Sequence, residues 1–428
     1  MTTTTPHPVH IGDNLDVLPL LEGPFDLIYL DPPYNTGGRV VTGYTDRFED
    51  WSGFMAPRLA HLPRLLAEHG IVIASIDDRE IHHLRVLLDD VLGAHNHVGT
   101  VVWDGSTINS SHLLSVSHDY LVIYAKNHAA LRASGTTWRQ PRDDTQAMLD
   151  AAATAWRTAA GDRAGAQQRF RAWLAPRRSN LPRGLTEYDR IDDMGALYRV
   201  GDPGAPSVQA SRSFRELTHP RTGQPCPVPK RGWRMNDASM DRMLEAGRIE
   251  FGPDHTTQPK LKRMLADNAT AVPRSVFRQE RVGARHLASI DGVGEFPFPK
   301  DRAVLARWFD TVTGPDARIL DPFLGSGTSI EVAMALNAGD GGTRQVTGIA
   351  LDEGGIVQEV LVPRLHHCET TYGEQVAWAE PLGPRVPANV RRGTVNRRRA
   401  CRDVPRPPGE RGTPTPSIVH ASDRSMNA

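Results

Sequence analysis

The sequence has few of the features that mark secreted, membrane or disulfide-stabilised proteins. Its three cysteines, Cys226, Cys368 and Cys401, are far apart and form no CxxC pair, so the sequence indicates neither a disulfide framework nor a zinc site. No apolar run approaches the roughly 18 residues of a membrane helix. The segment from Met1 to His10 has no basic or apolar stretch typical of a signal peptide. We therefore expect a cytoplasmic protein that does not enter a membrane.

A net charge and a dinucleotide fingerprint are also lacking. Fifty basic and fifty acidic residues cancel, so no global field draws the chain to nucleic acid, although local basic patches are compatible with such binding. The early GxGxxG of a nucleotide-binding dehydrogenase is missing, which argues against that class. The 428 residues, with 39% hydrophobic and 23% charged side chains, suit an ordinary globular protein of two or three domains.

Alternating strand and helix patterns favour an α/β sheet that is covered on both faces. We predict a helix from Trp51 to His69 and another that is capped by Asp77 or Asp78 and runs to Leu92. The same alternation returns after Ala303. Phe25–Leu30 is apolar on both faces, as a buried parallel strand requires. The predicted strands are Val9–Ile11, Phe25–Leu30, Ile71–Ile76, Val98–Trp103, Tyr120–Ala125, Arg318–Leu320 and Gln345–Leu351.

Composition divides the chain into four segments. The two α/β parts are residues 8–127 and 291–382, and they flank an Arg-rich segment, residues 128–290, which we interpret as an inserted module. Within it we predict one long helical stretch from Thr145 to Leu174. The last segment, 383–428, has ten arginines, three acids and many prolines without periodicity, and we predict that it is disordered.

The first informative motif is Asp31-Pro32-Pro33-Tyr34, which directly follows the strand Phe25–Leu30. Two rigid prolines hold the Asp31 carboxylate and the Pro32 carbonyl, and both groups accept hydrogen bonds. Tyr34 offers a ring on which a base can stack, worth roughly 1–3 kcal/mol. Two acceptors that bind an aromatic amine favour a pyramidal nitrogen with an aimed lone pair, so positioning and electrostatics can drive its reaction. A plain turn is the alternative interpretation.

The second motif is a strand, a small-residue loop and a helix: Asp321-Pro322-Phe323-Leu324-Gly325-Ser326-Gly327-Thr328. Glycines allow close approach of the backbone, and a helix N-terminus offers N–H groups to an anion. Alone, the pattern fits a nucleotide-like ligand or a tight turn equally. Asp352 ends a later strand and suits a ribose ligand or a helix cap. Asp13 ends the first strand and suits an adenine ligand or a turn.

Together, Asp31–Tyr34 followed by Asp321–Thr328 resembles the DNA amino-methyltransferases that use S-adenosylmethionine. The order of the motifs is that of the β class, which modifies adenine N6, and in particular of the modification subunits of type III restriction systems. The resemblance covers roughly residues 10–370. The other stretches that carry it are Gly12–Leu21, Gly70–Ile81, Ser117–Asn127, Gly223–Arg234, Phe296–Arg302 and Leu351–Leu365.

The resemblance implies a circularly permuted, Rossmann-like α/β methyltransferase sheet with an inserted DNA target-recognition module. The strand before Asp13 then lies beside the strand that ends at Asp352. The resemblance also implies three groups of site residues. The catalytic residues are Asp31, Pro32, Pro33 and Tyr34; the cofactor residues are Asp13, Lys300, Asp321, Phe323, Gly325, Ser326, Gly327, Thr328 and Asp352; the DNA-binding residues are Lys230, Arg231 and Arg234.

Lys300 is implied to touch the methionine part of the cofactor, although Asp301 stands where the family has proline. The implied reaction transfers a methyl group from S-adenosylmethionine to N6 of a flipped-out adenine, with no metal ion. The implied partners are double-stranded DNA, a restriction subunit and a second copy of the chain. Two alternatives stay open, namely an N4-cytosine methyltransferase and a DNA-binding specificity subunit without catalysis.

Overall fold

The computed structural model describes residues 5–37, 46–105, 113–182, 184–204, 213–296 and 298–379, apart from the Asp143 side chain. The segment 383–428, for which we predict disorder, lies outside the described residues. The strands are β1 His7–Ile11, β2 Phe25–Leu30, β3 Leu66–Ile76, β4 His97–Asp104, β5 His118–Ala125, β6 Gln140–Pro141, β7 Arg190–Ile191, β8 Leu197–Gly201, β9 Ile249–Glu250, β10 Lys260–Met264, β11 Thr270–Ala271, β12 Val276–Arg278, β13 Arg318–Asp321, β14 Gln345–Ala350 and β15 Val376–Ala379.

The helices cover both faces of the largest sheet and also form part of the insert. They are α1 Asn14–Val17, α2 Trp51–Leu59, α3 Leu62–Leu65, α4 Ile81–Leu92, α5 His128–Ala133, α6 Asp143–Thr158, α7 Arg163–Leu174, α8 Asp237–Glu245, α9 Gly283–Leu287, α10 Arg302–Val312, α11 Thr328–Asp340 and α12 Val362–Tyr372. A π-helical turn, Val357–Leu361, leads directly into α12. None of the helices within the described ranges is long and apolar enough to span a membrane.

The central sheet has the strand order β12-β4-β5-β3-β2-β13-β14-β1-β15 among the described residues. Strand β5 runs antiparallel to β3 and β4, and the other neighbours pair in parallel. Strand β1 lies beside β14, with Val9 opposite Gly348 and Ile11 opposite Ala350. The predicted permuted α/β fold is thereby confirmed, since the first strand completes a sheet whose neighbouring strand lies over 300 residues later.

Alternate side chains of the central strands enter two different hydrophobic cores. In β2, Leu27 and Tyr29 belong to the core on one face, whereas Ile28 and Leu30 belong to the core on the other. An uninterrupted apolar run is what a strand with two buried faces requires. Strand β2 pairs with β13, with Leu27 opposite Ile319. Because the two strands are parallel, the segments that follow them meet at one edge of the sheet.

Three local predictions are wrong. The helix predicted from Trp51 to His69 ends at Leu59, resumes for one turn at Leu62–Leu65, and gives way to β3 at Leu66. Pro63 lies at the start of that single turn, where it is tolerated, but its ring cannot continue an existing helix.

The other two corrections concern a helix start and a helix break. Neither Asp77 nor Asp78 caps α4, which begins after Glu80; Asp77 instead accepts a hydrogen bond from the Arg79 backbone N–H at 2.9 Å. The stretch predicted as one helix from Thr145 to Leu174 is two helices, α6 and α7. Ala160 and Gly161 adopt positive φ between them, and Asp162 caps the second helix.

The insert forms its own small cores. Helices α6 and α7 pack with Leu185 and Leu197 in one cluster, and Trp233 is fully buried in another. A four-stranded sheet, β7-β8-β10-β9, connects them within the described residues. Strand β12, although it falls in the segment 128–290, pairs with β4 in the central sheet. The insert's boundaries therefore stay a prediction. Near the end of the predicted insert, β12 already belongs to the central sheet.

Candidate active site

A cavity of about 1120 Å³ opens at the carboxyl ends of the central strands. This is the edge at which open α/β sheets bind ligands. Its walls contain eleven of the predicted site residues together: Asp31, Pro32, Pro33, Tyr34, Asp13, Lys300, Asp321, Phe323, Gly325, Ser326 and Thr328. The residues Asp31–Tyr34, here called the DPPY corner, and the residues Asp321–Thr328, here called the GSG loop, thus border the same space, as the adjacent positions of β2 and β13 require.

The DPPY corner is fixed from behind by two residues that the sequence did not single out. The Trp51 indole N–H donates to the Pro33 carbonyl at 2.7 Å. Asn35 has a φ of 56° and uses its side chain on both sides, donating to Glu80 Oε1 at 2.7 Å and accepting from the Phe48 N–H at 2.8 Å. Asparagine tolerates this left-handed conformation. Together, the contacts of Trp51 and Asn35 determine the direction in which the corner faces.

Lys300 lies inside the DPPY corner. Its Nζ is 2.9 Å from Asp31 Oδ1 and donates to the Tyr34 hydroxyl at 2.7 Å. The same ammonium is 4.3 Å from the centre of the Tyr34 ring. Burial raises the pKa of the Asp31 carboxyl, and the Lys300 ammonium opposes that rise. The implied contact of Lys300 with a cofactor stays a prediction, whereas its contact with the two polar groups of the corner is present in the structure.

Asp321 begins the GSG loop and is almost completely buried. Its carboxylate accepts from Ser329 Oγ at 2.6 Å and from the Phe323 N–H at 3.0 Å. Burial raises the pKa of Asp321 to about 7, and the nearby Asp31 carboxylate adds to the rise, although both hydrogen bonds oppose it. A buried acid of this kind favours a cationic ligand, because a positive charge stabilises its ionised form.

A buried ionic network supports the GSG loop from below, and no local sequence pattern predicts it. The Arg364 side chain is 1% exposed and pairs with Glu331 at 2.8 Å. It also donates to Ser326 Oγ at 2.8 Å and to Thr328 Oγ1 at 2.9 Å. The side chains of these two predicted cofactor residues therefore bind helix α12 while the residues themselves line the cavity.

Gly327 has a packing role. Its φ is 83°, and a Cβ at this position would lie 2.8 Å from the Leu361 side chain. The residue is absent from the cavity walls, so its place in the motif is explained by the close approach of the π-helical turn. Gly325 does line the cavity, and its φ of 51° favours glycine.

A second polar cluster lies directly after the first strand, β1. Asn14 donates to the Pro322 carbonyl at 2.8 Å and accepts from Arg58 Nε at 2.5 Å. Asp13 caps α1 through the Leu15 N–H at 2.9 Å and pairs with Arg58 at 2.8 Å. The chain's beginning is thereby joined to the GSG loop, and Arg58 and Asn14 are contacts that sequence reasoning missed.

Asp352 and the three basic residues lie elsewhere. Asp352 accepts from the Val357 N–H at 3.2 Å, which fits the helix-cap alternative, and its neighbour Glu353 lines the cavity. Lys230, Arg231 and Arg234 are exposed in the insert and are not part of the cavity walls. Their predicted DNA contacts, and the predicted ligand roles of the cavity residues, stay predictions.

A further wall, also missed in the sequence, faces the DPPY corner. Arg281 pairs with Asp119 at 2.7 Å, and its guanidinium lies 4.5 Å from the centre of the Trp103 ring. All three residues line the cavity. They come from β4, β5 and the segment before α9, so no local pattern predicts their meeting. The described residues contain no cluster of three or more His, Cys, Asp or Glu side chains arranged for a metal ion.

Comparison with known proteins gives this geometry a class. The N6/N4 methyltransferase family, described as DNA methylase, matches residues 25–339, which include the DPPY corner and the GSG loop. The chain belongs to this family. The resemblance to DNA amino-methyltransferases is thereby confirmed.

Particular relatives are the Mod subunit of the type III restriction-modification enzyme EcoP15I of Escherichia coli and that of StyLTI of Salmonella typhimurium. The chain is 26% and 25% identical to them over 80% of its length. It spans 58% and 52% of those two proteins, about half the length of each. The type II methyltransferase M.KpnI of Klebsiella pneumoniae is 26% identical over 80% of both chains. A solved structure, described as a putative DNA modification methylase from Thermus thermophilus, aligns with 87% of this chain and all of its own, with 13% identity and a TM-score of 0.40.

Proposed function

We propose that this protein transfers a methyl group from S-adenosylmethionine to N6 of an adenine in double-stranded DNA. The observation that carries the proposal is the meeting of the DPPY corner and the GSG loop in one cavity. One motif presents amine acceptors, and the other presents a buried acid at the end of β13 and a loop that leads into α11. The amine and the methyl donor can therefore share one space. The names of the relatives support the same class of reaction.

The residues around the GSG loop fit the chemistry of S-adenosylmethionine. Asp321, whose pKa is raised to about 7, suits the cofactor's positive charges. The carboxylates of Asp13 and Glu353 in the cavity wall are acceptors suited to hydroxyl and amine donors, and Phe323 and Ile356 offer apolar surface for a purine ring. When bound, the cofactor supplies an electrophilic methyl group on a positively charged sulfur.

The chain's own residues would orient the amine and remove its proton. The Asp31 carboxylate and the Pro32 carbonyl accept the two N–H bonds of the adenine amine, and the Tyr34 ring stacks on the base. Attack by the nitrogen would form the new N–C bond as the methyl–sulfur bond breaks, S-adenosylhomocysteine would leave, and the amine would then lose one proton. Asp31 Oδ1 is placed to accept that proton and to pass it to water. The target base must leave the duplex to reach the cavity.

Adenine is the proposed base because an acid precedes the two prolines. The alternative of N4-cytosine stays open, since the family includes both amines. The insert is proposed as the target-recognition module, with the exposed Lys230, Arg231 and Arg234 as the residues proposed to contact phosphates or base edges. A restriction subunit is the proposed protein partner, by likeness to the Mod subunits. A homodimer stays a prediction, and the cytoplasm is the proposed location because the substrate is DNA.

The test is transfer of tritiated methyl groups to DNA, followed by nucleoside analysis of the product. We expect N6-methyladenine from the wild-type protein. Asp31→Ala should abolish transfer because the amine loses its charged acceptor, while cofactor binding measured by calorimetry largely survives. Equal transfer by Asp31→Ala would exclude the assigned role of the corner. N4-methylcytosine would favour the cytosine alternative, and wild-type protein that binds DNA but not the cofactor would favour a specificity subunit without catalysis.

A further inference from the structure

Lys300 occupies the position in which the target amine is expected. Its ammonium is a nitrogen donor, and it contacts Asp31 Oδ1 at 2.9 Å and the Tyr34 hydroxyl at 2.7 Å. Its Nζ also lies near the Tyr34 ring, 4.3 Å from the ring centre. The proposed reaction assigns the same carboxylate and the same ring to the adenine base. The ammonium and the base therefore compete for one set of contacts.

The main chain at Lys300 is anchored. If the base replaces the ammonium at Asp31, the lysine side chain therefore has to move while its backbone stays in place. Asp301 is 1% exposed and accepts from the N–H groups of Val282 at 2.8 Å and Ala303 at 3.0 Å. A Cβ on Gly283 would lie 2.5 Å from the Pro299 carbonyl oxygen, which shows how closely these segments pack. The lysine itself has a flexible four-carbon stem.

The acid in place of the family's proline thus has a structural explanation. Asp301 caps α10 and ties the segment before α9 to the residue that follows Lys300. These contacts hold the lysine's backbone beside the DPPY corner, and its side chain reaches Asp31 from the wall that α10 supports.

We propose that Lys300 is a positioning residue whose ammonium occupies the amine site of the DPPY corner until the target base displaces it. The proposal rests on the proposed function, because the displacing group is the adenine amine. The proposal predicts a different contact for the lysine ammonium in the free enzyme and in the complex with DNA. In the free enzyme its charge favours the ionised form of Asp31, and on base entry its ammonium leaves the carboxylate to the substrate.

The surroundings of Asp31 explain why a cation matters there. Acidic or phenolic groups interact with it from several elements, namely Tyr29 of β2, Tyr34 of the corner, Asp119 of β5 and Asp321 of β13, and Asp77 after β3 acts on Tyr34. Arg281, the nearby guanidinium, is paired with Asp119. Burial and Asp119 raise the pKa of Asp31, and Lys300 lowers it. Without the ammonium, the carboxyl would retain its proton to a higher pH and accept the amine less well.

The experiment compares Lys300→Met with wild type across pH, using single-site DNA substrate and saturating cofactor. The acid limb of kcat/KM reports the free enzyme, whereas that of kcat reports the bound complex. We expect the kcat/KM limb to move to higher pH in Lys300→Met, with roughly a tenfold loss below the limb for each unit of movement. The kcat limb should stay in place, because the lysine has already left Asp31 in the complex.

A second readout does not depend on methyl transfer. DNA that carries 2-aminopurine beside the target adenine fluoresces more when that adenine leaves the stack next to it. At a pH above the limb, Lys300→Met should bind this DNA with a larger fluorescence increase than wild type, because no ammonium competes for the corner. Lys300→Arg keeps the charge and should keep the wild-type acid limb. Lys126→Met, whose lysine contacts the Leu66 carbonyl outside the cavity, is the matched control and should also leave the limb unchanged.

Each result supports or overturns the proposal. An unchanged kcat/KM limb with unchanged 2-aminopurine fluorescence overturns it, as does a defect that is confined to a weaker calorimetric affinity for the cofactor. If Lys300→Met does not fold, Lys300→Gln, which keeps a polar side chain without the charge, should show the same two shifts. If wild type transfers no methyl group to DNA, the proposed function fails instead, and the proposal falls with it for that separate reason.

Discussion

The DPPY corner and the GSG loop differ in where their charged groups lie. In the corner, the Lys300–Asp31 pair faces the cavity, with side chains that are 14% and 22% exposed. Beneath the loop, the Arg364–Glu331 pair is 1% and 2% exposed and faces the core. A pair at a cavity wall can exchange partners when a ligand enters, whereas a buried pair loses stability when either member is removed. The ion pair in the corner can therefore change its contacts when a ligand enters. The Arg364–Glu331 pair beneath the loop, here called the permanent pair, keeps its contacts.

The largest effect is expected from breaking the permanent pair. Arg364→Met should lower the free energy of unfolding by up to roughly 3–5 kcal/mol, because Glu331 loses its fully buried partner. Glu331 keeps His286 at 2.7 Å and Arg302 at 3.4 Å, so part of its charge stays compensated. The hydroxyls of Ser326 and Thr328 also lose a donor. Urea unfolding measures the change. As a matched control, Arg248→Met removes a partly exposed pair with Asp267 and should cost less than about 1 kcal/mol.

The double variant Glu331→Leu/Arg364→Met sharpens the same point. Because it removes both charges, it should be more stable than Arg364→Met alone. Equal losses of unfolding free energy in Arg364→Met and Arg248→Met would show that the buried pair beneath the loop stabilises the fold no more than an exposed pair does.

A smaller effect is expected at Tyr34, where the ring and the hydroxyl contribute separately. Tyr34→Phe keeps the stacking surface and loses only the hydrogen bond from Lys300 at 2.7 Å. Tyr34→Ala loses the ring as well, so DNA methylation should fall further, by a factor that corresponds to roughly 1–3 kcal/mol of stacking. Steady-state kinetics with both variants measure the difference. If Tyr34→Phe lowered DNA methylation as much as Tyr34→Ala, the proposed stacking of the base on the ring would be wrong.

The last prediction concerns how stability depends on pH. In the folded protein Asp321 keeps its proton up to a pKa of about 7, well above its ordinary value of 3.8. Between these values the folded state binds more protons than the unfolded chain, so the contribution of Asp321 to stability is present below pH 4 and is lost as the pH rises to about 7.

Asp321→Asn lacks this titration, so its stability relative to wild type should improve as the pH rises from about 5 to about 8. Urea unfolding at the two pH values measures it, with the exposed Asp316→Asn as the control. An equal slope for wild type and Asp321→Asn would show that Asp321 does not titrate in this range.

Local sequence signals explain what could be predicted about the fold. The six residues Phe25–Leu30 form a strand with the predicted bounds, because an apolar run of this length between prolines suits a buried strand and is short for a helix. In the stretch Trp51–His69, Pro63 marks the start of a new turn, whereas Pro57 lies within α2. The break between α6 and α7 had the signal Gly161-Asp162, a positive-φ residue followed by a helix cap.

The sequence by itself determined the two motifs, their order and the class of protein to which they belong, because each motif is a short run whose residue types suit one task. Only the tertiary structure decided which distant side chains serve them. Lys300 reaches Asp31 and Tyr34 across more than 260 positions, and Arg364 reaches the GSG loop from α12. Such contacts leave no periodicity or spacing in the chain, since they arise only when parallel strands bring their carboxyl ends to one edge of the sheet.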